Sequence, residues 1–143
     1  MEKILNYING ELLPAQSENW LDNFNPSIGK VYSLIPDSNS NDIDKAVDAA
    51  AKAFPSWSSL PVAERSNILL KIANGIDKQF DVLAKAESED NGKPLKLAQS
   101  VDIPRASANI RFFATAILHF ESQAHQTDQE AVNYTTRTPL GVV

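Results

Sequence analysis

The chain has 143 residues, 43% of them hydrophobic and 22% charged, with five Gly, eight Pro and no Cys. That length suits one domain with a real core, and it is short for an enzyme with separate substrate and cofactor domains. Zero cysteines exclude disulfides, thiolate zinc sites, iron–sulfur ligation and a cysteine nucleophile within these residues. A net charge of −5 argues against nucleic acid or an anionic membrane as the main partner. Two histidines, His119 and His125, are too few for a His-rich metal site. Glu2, Lys3, Asn6 and Asn9 interrupt the N-terminus before a signal-peptide core can form. The longest nearly uncharged apolar stretch, residues 112–120, falls short of the roughly 20 residues of a membrane-spanning helix. A soluble protein with a cytoplasmic address is the expectation.

The first 36 residues read as β structure. Ile4, Tyr7, Ile8, Leu12 and Leu13 flank Asn9-Gly10, the dipeptide that most readily closes a tight hairpin because both residues tolerate positive φ. A second turn falls at Asn25-Pro26-Ser27-Ile28-Gly29, and Lys30 to Ile35 reads as a strand that stops at Pro36. The period then changes. Ser38, Asn39 or Ser40 can cap a helix whose first turn carries Asp42 and Asp44. Ile43, Ala46, Val47, Ala50 and Phe54 form its apolar stripe, and Pro55 is expected to end it.

Ser58 or Ser59 with Pro61 starts the next helix, with Leu69, Ile72 and Ile76 as its buried face. Asn74-Gly75 is expected to be a soft joint before Phe80, Leu83 and Ala84 continue the pattern; residues 87–92 read as a helix end and turn. Asp102 is a candidate cap for a helix whose stripe runs Ile103, Ala106, Ile110, Phe113, Ile117 and Phe120. Residues 123–129 read as a polar loop. Last comes the β-prone run Ala131-Val132-Asn133-Tyr134-Thr135-Thr136-Arg137-Thr138, then Pro139-Leu140-Gly141-Val142-Val143. A strand stopping in that apolar run would leave a bare edge, so a fragment leading into a buried strand is expected, with an isolated C-terminal strand as the alternative.

No catalytic constellation stands out. His119 and His125 lack an acidic partner at recognisable spacing. Glu87, Glu89 and Asp90 can in principle hold a cation, but three acids at a helix end also describe a solvated turn. Asn91-Gly92-Lys93 lacks the further glycines of a phosphate loop. Phe54 and Trp57 read as core filling between two helices.

Six segments taken in order carry more: NYINGE (residues 6–11), NPSIGKV (25–31), DIDKAVDAAAKAFPSWSSLPVAERSNIL (42–69), AESEDNGKP (86–94), VDIPRASANIRFFA (101–114) and YTTRTPLGVV (134–143). Together they closely resemble the N-terminal segment of the NAD(P)-dependent aldehyde dehydrogenase superfamily. The run Asp102-Ile103-Pro104-Arg105 and the FPSWS at 54–58 look most like the branch that oxidises muconic semialdehydes.

The resemblance implies an α/β fold: the N-terminal part of that family's three-layer architecture, with a β hairpin, amphipathic helices and a β oligomerisation arm, incomplete as given. Residues 1–122 would belong to the cofactor-binding domain, and residues 123–143 to the arm and the start of the next strand. Family members oxidise a small aldehyde to the acid through a cysteine thiolate, an oxyanion-binding asparagine, hydride transfer to NAD or NADP, and a water-activating glutamate. Those residues lie downstream in the family, beginning with a Pro-Trp-Asn segment just past Val143. No catalytic or cofactor-binding residue therefore carries over, and this segment alone is expected to be inactive and to bind no cofactor. A truncated product acting as a non-catalytic interaction module is the alternative. The resemblance further implies a homo-oligomer formed through the arm from Ala131 to Thr138. It also implies a structural monovalent cation at Asp90 and a backbone carbonyl near Phe24, although Asp90 equally reads as a helix-end turn residue.

Overall fold

The computed structural model describes residues 1–143. At the N-terminus, β1 (Glu2–Lys3) runs parallel to β5 (Lys30–Pro36), and β4 (Trp20–Asn25) runs antiparallel to its other side, giving the order β1-β5-β4. A bulge between Asn23 and Phe24 shifts the β4–β5 register. The expected hairpin is present: β2 (Asn6–Ile8) pairs with β3 (Glu11–Leu13), Tyr7 opposite Leu12, with Asn9 and Gly10 at φ 54° and 84°. Both left-handed residues match the right-handed strand twist, which is why Asn-Gly closes the turn.

Helix α1 spans Ser40–Ser59. Asn39 is its cap, accepting from the Asn41 amide at 2.9 Å, while the Asp42 carboxylate reaches back to the Asn39 amide at 3.0 Å. Pro55 does not end it. Proline removes one backbone donor (the N–H that would reach back one turn), and the helix continues for a last turn in which Ser56 and Ser59 donate to the Ala53 and Ser56 carbonyls. Ser58 and Ser59 thus belong to α1, and Pro61 itself stands before α2 (Val62–Lys78). Nor do Asn74 and Gly75 break anything: α2 runs through them, and the joint falls at Gln79, before α3 (Phe80–Asn91).

After Gly92 the chain forms one irregular rod. A short turn α4 (Leu95–Leu97) passes into a π-helical stretch (Ala98–Asp102) and then α5 (Ile103–Ala116), ending in a 3₁₀ turn at Ile117–His119. Asp102 is therefore no cap: it has helical backbone angles, and its carboxylate faces Lys93. The expected polar loop at 123–129 contains strand β6 (Ala124–Thr127), antiparallel to β7 (Ala131–Tyr134). Polar side chains masked a strand whose partner follows three residues later. Residues 135–143 have no regular structure, so the strand expected past Pro139 is absent within this chain.

Only ten residues are buried, and the six apolar ones are five alanines and Ile103. Helices α2 and α5 meet through small side chains, Ser66 and Ala73 against Ser107 and Ala114. A second cluster joins Ala84, Ala98 and Ile103 beneath Ile76, Phe80 and Leu83. The expected stripes exist but face outward. Ile43 and Val47 of α1, Ile72 of α2, and Phe113, Ile117 and Phe120 are all exposed, as is Trp57, so the core role expected for Trp57 is not met within these residues.

Candidate functional site

The bulge in β4 turns Asn23 and Phe24 toward the C-terminal half of α3. There the Asp90 Oδ1 atom accepts from the Tyr32 hydroxyl at 2.9 Å and from Asn23 Nδ2 at 3.3 Å. Asn23 also donates to the Tyr32 hydroxyl at 3.0 Å and to the Ser33 hydroxyl at 3.1 Å. Desolvation and the Asp90 contact push the Tyr32 phenol above its ordinary pKa, so it stays a neutral donor. Of the two residues singled out for a cation, Asp90 is a strut between α3 and β4, and Phe24 follows one of its partners in sequence.

The other two acids of that cluster have separate tasks. Glu89 lies 3.8 Å from Lys85, an exposed pair worth little. Glu87 Oε1 accepts from Lys93 Nζ at 2.9 Å and from Asn91 at 2.6 Å, and Lys93 also donates to Asp102 at 2.8 Å. Asp102, then Glu87, hold the Lys93 ammonium above the usual lysine range. Asn91-Gly92-Lys93 is turn chemistry, as read: Gly92 has φ 76°, and Asn91 Oδ1 accepts from the Lys93 amide at 3.0 Å. No group of three His, Cys, Asp or Glu side chains converges on a metal position. His119 closes the 3₁₀ turn, and His125 sits on β6 opposite Asn133.

A cavity of about 650 Å³ opens beside this network, with Tyr32, Ser33, Glu87 and Asp90 on one side and Leu83 and Ile103 on the other. Its size suits a small molecule or an apolar element of polypeptide. No nucleophile with a base, and no pair of convergent N–H groups, faces it. Sequence reasoning missed Asn23, Tyr32 and Lys93. Tyr32 had a signal in the strand alternation of 30–35, whereas Lys93 had none, because its partners lie six residues back and nine ahead.

Residues 12–143 match the aldehyde dehydrogenase family. The chain belongs to that family. It is 45% identical over 138 residues to the 2-aminomuconic semialdehyde dehydrogenase of Bos taurus, and 44% identical to that of Homo sapiens. Each alignment covers 96% of this chain and 28% of the relative, so the chain spans little more than a quarter of those dehydrogenases. The aldehyde dehydrogenase of Bacillus cereus, solved with NAD⁺, superposes with a TM-score of 0.87 at 32% identity, over 93% of this chain and 28% of that one. Hairpin, helical layer and ribbon are thus the N-terminal part of the aldehyde dehydrogenase fold.

Proposed function

We propose that this chain is the N-terminal segment of an NAD(P)-dependent aldehyde dehydrogenase that oxidises an aldehyde, with a muconic semialdehyde as first candidate, to the carboxylic acid. The observation that carries this reading is the 45% identity, maintained over 138 residues, to a protein named 2-aminomuconic semialdehyde dehydrogenase. NAD as cofactor is supported by the fold shared with a dehydrogenase solved with NAD⁺. The segment contributes scaffold: no cysteine lies within it, and no acid–base pair is assembled. Alone it is proposed to be inactive.

The experiment is a chimera. This segment replaces the matching 138 residues of the Bos taurus relative, and NADH formation is followed with 2-aminomuconic semialdehyde and with a simple aliphatic aldehyde. The expected result is a soluble chimera that turns over the semialdehyde, beside a 143-residue chain that turns over neither. A soluble chimera without turnover, or turnover by the short chain alone, would overturn the reading.

Within the same reading, Asp90 and the backbone carbonyl of Phe24 hold a monovalent cation. The donors on offer are oxygens, which fits a hard cation. A higher thermal midpoint in potassium than in choline chloride at equal ionic strength, lost in Asp90→Asn, is the expected outcome. Equal midpoints would leave Asp90 as a hydrogen-bonding strut only.

A further inference from the structure

Helices α2 and α5 and the last turn of α1 enclose an apolar groove of about 590 Å³, walled by Trp57, Leu69, Phe112, Phe113, Ile117 and Phe120. Phe113 is 66% exposed and Phe120 58%, side chains that stay in contact with water only where a covering partner is missing. Its lining includes a polar group. Ser66 is 1% exposed, and its hydroxyl has no hydrogen-bond partner. A buried hydroxyl left unpaired is costly, so whatever fills the groove has to bring a hydrogen-bonding group to Ser66 along with its apolar surface. Backbone at the end of an element, or an extended segment, has both.

We infer that this groove is covered in cis, by polypeptide that follows Val143 in a longer chain, and not by a second copy. Three observations point that way. The adjoining cavity shares Trp57, Arg65 and Ile117 with the groove and is walled on its far side by Arg137, Thr138, Pro139 and Gly141, so the chain already runs along the rim. Arg137 stacks on Phe120, its guanidinium carbon 4.3 Å from the ring centroid, which ties that segment to the groove. The relatives devote 72% of their length to residues this chain does not match (100% less the 28% covered), and that polypeptide has to pack on some face of this segment. The β6–β7 ribbon is a separate two-stranded sheet, so the two exposed surfaces divide: groove for the same chain, ribbon for another copy. The inference rests on the proposed membership of a longer dehydrogenase.

The test is hydrogen exchange on the full-length gene product and on the 143-residue chain, read at the α2 amides around Ser66 and the α5 amides around Phe113. In the long chain these exchange at least about tenfold more slowly, equally at about 1 µM and about 100 µM protein. Protection that grows with concentration assigns the groove to a second copy and overturns the inference, as does equal exchange in the two chains. A sign test on Ser66→Ala accompanies it. The substitution leaves the midpoint of the short chain unchanged or raised, because it removes an orphan hydroxyl. It lowers that of the long chain, where the hydroxyl has its partner; a long chain indifferent to Ser66→Ala counts against the pairing. The functional reading is scored separately: a long product with a protected groove but no NADH formation sinks the activity and leaves the groove assignment standing.

Discussion

Gly92 shows how much a single residue position can demand. Its φ of 76° closes the end of α3, and a Cβ built there would lie 3.1 Å from Pro26 Cβ and 3.2 Å from the Ser27 amide. Both the backbone and the Asn25–Gly29 turn resist a side chain, so Gly92→Ala should destabilise the chain by roughly 1–3 kcal/mol in urea unfolding. The sequence marked a turn here; the close approach of a strand connection 65 residues earlier it could not show. Asp42 behaves similarly. Its two oxygens accept from the Asn39 and Gln16 amides, and those bonds hold the carboxyl below the usual aspartate value. A depressed folded pKa means the contribution is complete above the ordinary value of about 3.8 and is lost as pH falls below it. The stability gap between wild type and Asp42→Ala should therefore be constant near neutrality and close between about pH 4 and pH 2 in pH-dependent urea midpoints. A gap that persists at the acid end would mean that Asp42 acts through packing alone.

At the scale of the element, the rod from Leu95 to His119 changes from α to π to α, and the π turn adds a residue that rotates everything after it. Lys93 binds its last residue, Asp102, and so couples the end of α3 to the start of α5. Its raised pKa gives the opposite pH dependence from Asp42: full below the ordinary lysine value of 10.5, and lost only as pH rises through the higher folded value. Lys93→Met should lower the thermal midpoint at neutral pH, with the difference shrinking above about pH 11, as circular dichroism can follow. The α2–α5 contact depends on small residues. Ala73→Leu, at a site with no exposed surface, should cost about 1–3 kcal/mol by overpacking, measured by the urea midpoint. Sequence periodicity found these helices and misjudged their faces. A stripe of Ile, Phe and Val marks a surface that seeks an apolar partner, whereas the small residues Ala73, Ser107 and Ala114 let two helices approach closely, and hydrophobicity counting passes over them.

For the whole molecule, the contrast lies between many apolar stripes and a core of ten buried residues. The groove and the β6–β7 ribbon hold much of the exposed surface, with Val132 67% and Tyr134 73% exposed on the ribbon. If the ribbon joins copies, as we propose from the family resemblance, Val132→Asp in the full-length product should shift sedimentation toward a smaller, concentration-dependent species while secondary structure is kept. An unchanged sedimentation coefficient would remove the ribbon from the interface.

The sequence by itself determined the hairpin at Asn9-Gly10, the Asn39 cap, the existence of the helices and, through six ordered segments, the family. Each of these rests on local chemistry or on residue identity, which the one-dimensional chain carries in full. Tertiary structure alone decided which helix faces meet, that Asp90 answers to Tyr32 and Asn23 across 58 and 67 positions, and that Lys93 binds the π turn. It also decided that the strongest apolar stripe of the chain stays uncovered within these residues. Contacts between distant positions follow from how elements pack, and packing is set by shape and by partners that no local pattern encodes.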